Sequence, residues 1–416
     1  MIKKISILTV VIFLFLALLS PGLAQAQSEP VILDSSAQAD FPSQLSFRLS
    51  AQGNANITDI RLHYMIDRAG FARVTSEVYI EFVPGTLVDA EWTWDMRKTG
   101  GLPPGSMITY WWTVADASGG RVETVPCQVQ FNDVRYPWLS LTEGEVTIYW
   151  YQGDNSFARE LMAVAQQALV RLLENTGAYP DELVKIYAYA SAQDLQGAMI
   201  YPQEWTGGVA FTRYDTIAIG ISPENLDWGK RAIAHELTHL VIHQMTLNPY
   251  NDLPTWLDEG LAMSTEGALE PQFVDALYRA AAEDRLITVR SLSSPFSAYA
   301  SQATLAYAQS YSLVEFLIGN YGQSKMLELL NTFREGTGYD QALEKVYGFG
   351  MDGLDALWRE QISQQYQPTE VATTGVHPVP IVVMTALVTG LPLAVGVAVQ
   401  RVGHGGGINE EIVYHP

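Results

Sequence analysis

Ile233-Ala234-His235-Glu236-Leu237-Thr238-His239 decides the fold of the second half of this chain. Ile233, Leu237, Leu240 and Val241 recur at helical spacing, so the stretch reads as an amphipathic helix with one face in a core. Four residues advance such a helix by about 400° and about 6 Å. His235 and His239 therefore stand one above the other on the opposite face, where both imidazoles can reach one metal ion. His243 lies two turns, about 12 Å, from His235. Metal–nitrogen bonds are only about 2.0–2.1 Å long, so His243 reads as a wall of the cleft or a solvent-facing residue.

A third ligand is offered downstream by Glu259, in Pro254-Thr255-Trp256-Leu257-Asp258-Glu259-Gly260-Leu261-Ala262, with nineteen residues between it and His239. That gap holds a loop and lets a second helix pack back beside the first. Asn251 and Asp252 can cap this helix, Pro254 suits its first turn, and Gly260 permits close helix–helix approach. Two neutral imidazoles and one carboxylate leave a fourth position for water, the pattern of a catalytic rather than a structural ion.

HExxH followed by WLxEGxA resembles the gluzincin zinc metallopeptidases, most closely the peptidase MA-like family, over about residues 145–322. The nineteen-residue gap is similar to that of thermolysin-like members, and the WLxEG wording to that of M1 aminopeptidases. The resemblance implies Zn2+ held by His235, His239 and Glu259, with Glu236 as general base. It also implies that Glu266 orients a ligand imidazole, and that a phenol at Tyr311 or Tyr307, one helical turn apart, assists the oxyanion. In such a fold the edge strand before the metal helix pairs with the substrate backbone, which points to Gly208, Val209 and Ala210. The GxMEN motif of M1 enzymes is absent, so cleavage within a peptide or protein chain is expected in preference to aminopeptidase action.

Outward from this centre the pattern changes. Between Glu145 and Ile221 strands alternate with helices: strands at Glu145–Tyr151, Val184–Tyr189 and Val209–Ile221, and helices at Ser156–Asn175 and near Ala192. From Asn225 to about Tyr366 nearly everything reads as helix. Before the hinge-like Asp133–Ser140, residues 45–131 read as strands, with alternation at Ile60, Leu62, Tyr64 and Ile66 and again at Ile108, Tyr110, Trp112 and Val114. Leu102–Ala117 resembles a fibronectin III or immunoglobulin-like strand pair. Trp92, Trp94, Trp111 and Trp112 are expected to pack in that core.

The expected class is thus multidomain α+β, with a small β-sandwich before a gluzincin-type catalytic domain whose C-terminal part is helical. Residues 1–26, with Lys3 and Lys4 before an apolar run and Ala24-Gln25-Ala26 at its end, read as a secretory signal peptide. The sandwich is expected over 28–135, the metallopeptidase domain over 141–366 and a linker over 367–380. Ile381–Val399 carries no charge and is long enough for a transmembrane helix, with 400–416 as a cytoplasmic tail. These segments would put the catalytic domain on the outer face of a cell membrane. The single cysteine, Cys127, excludes an intramolecular disulfide. A balance of 45 acidic against 24 basic residues, net −21, repels phosphate backbones and excludes nucleic acid as partner. A non-catalytic surface module working through the β-sandwich is the alternative class, and a hydrolase of a non-peptide bond shares the same metal site.

Overall fold

The computed structural model describes residues 29–70, 72–202, 207–296, 300–365, 398–400 and 411–414. The leader 1–26, the linker 367–380 and residues 381–397 of the apolar stretch lie outside the described residues. Among the described residues no helix is long and apolar enough to cross a membrane.

The N-terminal part comprises β1 (Val31–Asp40), β2 (Gln44–Ile66), β3 (Ser76–Tyr79), β4 (Gly85–Asp95), β5 (Ser106–Asp116), β6 (Arg121–Glu123) and β7 (Cys127–Phe131). Strand β2 organises it. Its first half buries Leu45, Phe47, Leu49 and Ala51 and pairs with β1 and β4. Its second half buries Ile60 and Leu62 and pairs with β3 and β5. The buried positions change from odd to even numbers because the register against β5 shifts between Ile57 and Asp59, and one extra residue turns every later side chain over. Both halves thereby feed one core. The result is one hydrogen-bonded sheet continuous through β2, where an immunoglobulin-like sandwich was expected to show two. Trp112 and Trp94 are buried, while Trp92 is partly buried against Phe47, Tyr64 and Trp94. Trp111 is also partly buried and stacks on His63.

The second unit opens with β8 (Leu139–Glu143), β9 (Val146–Trp150), α1 (Asn155–Thr176), β10 (Val184–Tyr189) and α2 (Ala192–Gln196). Strands β11 (Gly208–Phe211) and β12 (Thr216–Gly220) follow, where one strand from Val209 to Ile221 was expected. A 3-10 turn at Thr212–Tyr214 separates them, and Asp215, at φ 51°, supplies the left-handed residue that reverses the chain. Most of the chain from Leu226 to Gln365 is helical: α3 (Leu226–Thr246), α4 (Thr255–Glu266), α5 (Pro271–Ala282), α6 (Val289–Leu292), α7 (Ala300–Tyr321), α8 (Gln323–Arg334), α9 (Tyr339–Tyr347) and α10 (Met351–Gln365). Short strands β13 (Ala398–Gln400) and β14 (Glu411–Tyr414) complete a sheet of order β13-β14-β11-β12-β10-β9-β8. Strands β9, β10 and β12 are parallel, and β11 runs antiparallel at their side. The tail expected in the cytoplasm instead meets this sheet through β14, and Ala398 and Val399, expected in a membrane helix, are extended. Pairing with the sheet satisfies the backbone groups of these residues, which a membrane interior would leave to a helix.

Both faces of the sheet are covered. Val184, Ile186 and Ala188 of β10 face the helices, whereas Tyr187 and Tyr189 belong to the core shared with the N-terminal sheet. Asp133–Ser140, expected as a hinge, is instead fastened between the two units. Asp133 is buried, accepts from Tyr189 Oη at 3.0 Å and takes two bonds from Arg135 at 2.8 and 2.6 Å. Arg135 also donates to the carbonyl of Gly197 at 2.7 Å. Tyr136 stacks on Tyr151 with ring centres 4.1 Å apart, and Trp138 sets its edge against Tyr151, Tyr187 and Tyr189. These aromatic contacts and charge-assisted hydrogen bonds fasten the segment to both units.

Candidate functional site

The metal helix is α3, and its burial is complete from Ala232 to Ile242. Gly229 lets its first turn lie on Ile221, where a Cβ would collide with that side chain. Helix α4 is buried along its whole length between α3 and α7. Gly260 makes that approach possible, because a Cβ there would enter the Ser310 carbonyl and Val314 of α7. Small size at one position thus brings Glu259 to the histidines.

His235 Nε2 lies 3.4 Å and His239 Nε2 3.6 Å from the same oxygen, Glu259 Oε2. One ligand atom from each of the three residues falls within a 4.8 Å span, and all three side chains are buried. His239 Nε2 and Glu259 Oε2 make no hydrogen bond. Buried polar atoms without such partners are costly unless something else binds them. The opposite ring nitrogens are engaged: His235 Nδ1 donates to Glu266 Oε1 at 2.7 Å, and His239 Nδ1 donates to Asp258 Oδ1 at 2.9 Å. Carboxylates can only accept here, so each imidazole carries a proton at Nδ1 and turns Nε2 toward Glu259. The donor set, two nitrogens and a carboxylate oxygen, fits a tetrahedral zinc ion with one further position.

Further groups extend this arrangement outward. Arg231 Nη2 donates to Glu266 Oε2 at 2.7 Å, one helical turn before His235. Asp258 Oδ2 accepts from His243 Nε2 at 3.0 Å, so His243 reaches His239 through Asp258 rather than joining it at the metal. His239, His243 and Asp258 form a second group of ligand type. Its facing atoms already bond one another, which leaves the first group as the metal candidate. Sequence reasoning missed Asp258 and Arg231; their signals were adjacency to Glu259 and the (i, i+4) step to His235.

The electrostatics show how much negative charge surrounds the imidazoles. Burial opposes a charged ring, yet Glu259 and Glu266 push His235 up to about 9. For His239 burial again opposes charge, but Asp258 and Glu259 hold the ring well above the usual range. Burial alone would raise Asp258, but His239 and His243 hold it far below the ordinary carboxylate value. Burial alone would raise Glu259 in the same way, but the two imidazoles beside it hold its carboxyl below the ordinary value. A divalent cation answers this surplus of carboxylate directly.

Glu236 is set apart from those bonds. It is fully buried, neither carboxylate oxygen has a hydrogen-bond partner among the described residues, and burial pushes its carboxyl up to about 7. A Cβ on Gly208 would lie 3.1 Å from Glu236 Oε1, so β11 passes directly over this carboxylate. Val209 and Ala210 follow along the strand and are buried. The structure therefore brings together His235, His239, Glu259, Glu236, Glu266 and Gly208. Tyr307 is fully buried on α7 with its ring edge against Phe296, 5.1 Å between centres. Tyr311 is half-buried; burial, and then the neighbouring Glu315, raise its phenol. Glu315 accepts from Ser264 Oγ of α4 at 2.7 Å.

Residues 164–364 match the family model described as the Peptidase MA superfamily. Among solved structures, the chain is similar to an aminopeptidase N family protein from Idiomarina loihiensis at 13% identity. That match covers 76% of this chain and 73% of the other, with TM-score 0.37. It is similar to an M1 zinc metallopeptidase from Deinococcus radiodurans at 12% identity, over 86% of this chain and 97% of the other, with TM-score 0.30. OgpA from Akkermansia muciniphila matches at 10% identity over 26% of this chain, with TM-score 0.20, and the match spans only 30% of OgpA. No curated protein matches the chain.

Proposed function

Since residues 164–364 are a Peptidase MA superfamily domain, that of a zinc metallopeptidase, we propose that this chain hydrolyses bonds within peptides or proteins. The observation that carries the proposal is the convergence of His235 Nε2, His239 Nε2 and Glu259 Oε2 beside a buried Glu236 with both oxygens unbonded. A purely structural ion has no use for that second carboxylate.

His235, His239 and Glu259 would hold the zinc ion. When bound, zinc supplies Lewis acidity, lowering the pKa of water toward about 7 and polarising the carbonyl to be attacked. Glu236 accepts the proton of the attacking water at a carboxylate oxygen and returns it to the leaving amine nitrogen. Its burial raises its proton affinity into the range where both transfers are easy at neutral pH. Glu266 and Asp258 keep the Nδ1 protons in place and so fix both rings. The backbone of Gly208, Val209 and Ala210 would pair with an extended substrate above Glu236 in the place that β14 takes beside Gly208 and Val209. Phe211, apolar, ends that strand and gives no carboxylate to hold a free amine, which favours internal cleavage. Tyr311 or Tyr307 donates to the developing oxyanion.

Residues 1–26 support a location outside the cytoplasm. Anchoring through 381–399 competes with the pairing of β14 on β11, and release into the medium of a chain ending at Thr374 would speak for the anchor. The decisive experiment for the activity compares wild type with Glu236→Gln on a peptide library, with zinc content measured for each. Zinc retained and cleavage lost is the expected outcome; full cleavage by the variant rejects Glu236 as the base.

A further inference from the structure

Beyond Phe211 the path of β11 leads to a second feature. Loop residues 67–70 of the N-terminal sheet reach the catalytic unit, where Ala69 N donates to the Arg213 carbonyl at 2.7 Å. Around this contact a groove of about 650 Å³ is lined by Arg68, Arg73 and Arg213, with Tyr64, Thr109 and Gln128 on its wall. Asp67 is the only carboxylate among its lining residues. Arg68 and Arg73 are exposed and Arg213 is half-buried. Among the described residues no carboxylate forms an ion pair with any of these three guanidinium groups, in a chain with 45 acidic side chains against 24 basic. Three like charges gathered at one groove repel one another unless an anion comes between them.

The groove adjoins the C-terminal end of α3, the helix that carries the metal-site histidines. Ala69 and Arg213 also line a neighbouring pocket that contains His243 and Asn248, at the end of α3. Gly208 lies over Glu236, and Arg213 follows five residues later in the 3-10 turn that ends β11, so the fully extended length of about 17 Å is the upper limit of their separation. The sense of travel is visible in β14, which pairs antiparallel with β11 at Gly208 and Val209. A peptide added in that sense points its N-terminal part toward Arg213.

We propose that the Arg68–Arg73–Arg213 groove is a specificity subsite that binds Asp or Glu side chains lying about four to six residues before the cleaved bond. Guanidinium groups pair with carboxylates in planar two-bond geometry, which sets them apart from a diffuse positive surface. This assignment rests on the peptidase reading and names its substrate class, acidic peptides.

The test uses the full zinc-loaded chain and two peptides of identical sequence around the cut. One carries three acidic residues at the fourth to sixth positions before it, and the other carries Gln there. Wild type should cleave the acidic peptide with kcat/KM about fivefold or more higher, through KM, and lose this preference in 0.5 M salt. Arg68→Gln/Arg73→Gln/Arg213→Gln should cleave both equally, at the wild-type rate for the neutral peptide, with an unchanged melting temperature. Equal cleavage of both peptides by wild type, or a preference that survives in the triple variant, overturns the proposal. Anisotropy of the labelled peptides on Glu236→Gln keeps the two readings distinguishable. If wild type cleaves neither peptide yet the acidic one binds only with the arginines present, the peptidase reading fails and the groove stands. Equal binding of both peptides removes the groove.

Discussion

Asp258 is the most informative single residue to change, because it bridges two histidines and stands outside the His235, His239 and Glu259 group. Its oxygens accept from His239 Nδ1 at 2.9 Å and His243 Nε2 at 3.0 Å, and the residue is buried. Removing one partner from a buried charge-assisted pair costs about 3–5 kcal/mol in a metal-free protein. Zinc binding feels less of this, since loss of a carboxylate behind a ligand imidazole lowers affinity by about 10–100-fold. Asp258→Ala should therefore lower the melting temperature of the apoprotein and weaken zinc by that factor. Asp258→Asn should fall between, because its carbonyl still accepts from His239 while its amide donates to His243. The assays are competition with a chromophoric chelator and thermal denaturation with and without zinc. Affinity within twofold of wild type in Asp258→Ala would refute the idea that this carboxylate sets the His239 ring. The pH dependence gives a further check. The carboxyl is depressed below its unfolded value, so its contribution is present above about pH 4 and disappears as pH falls through the folded value. Asp258→Asn should flatten that acid limb.

Three further outcomes follow from the geometry. Glu236 works only when deprotonated and its carboxyl is raised to about 7, so kcat/KM should fall with unit slope as pH drops below that value or, with zinc's charge beside it, below a lower one; a rate profile without an acid limb contradicts this. Removing the oxyanion donor, by Tyr311→Phe or Tyr307→Phe, should lower kcat and kcat/KM together by about 10²–10³ with KM nearly unchanged, and full activity in both variants eliminates both phenols. Gly260→Ala should destabilise the fold by about 1–3 kcal/mol in chemical denaturation and weaken zinc as α4 moves off α7; wild-type stability would show that the helices can part there at no cost.

The local periodicity of the chain was enough to place His235 and His239 on one helical face, Glu236 between them and Glu259 on a returning helix. Those relations span one or two turns, or follow from a motif whose spacing is itself geometric, so they are written in consecutive residues. The alternation of strands and helices before Leu226 was legible for the same reason. What joins distant segments was not. The one-residue shift at Ile57/Asp59 in β2 carries no sequence mark, because pairing with β5 decides which face each side chain takes. Asp133–Ser140 reads as a hinge by composition, yet Tyr136, Trp138 and Arg135 find their partners just after β9, on β10 and in the loop after α2. Asp258 looked like any acid next to a ligand until α3 and α4 were packed side by side, when its carboxylate met two imidazoles at once. Arg213 and Arg68 belong to different units, and only the docking of one sheet on the other makes them neighbours. Periodicity records which way a side chain points along its own element; which group waits there is settled by tertiary packing.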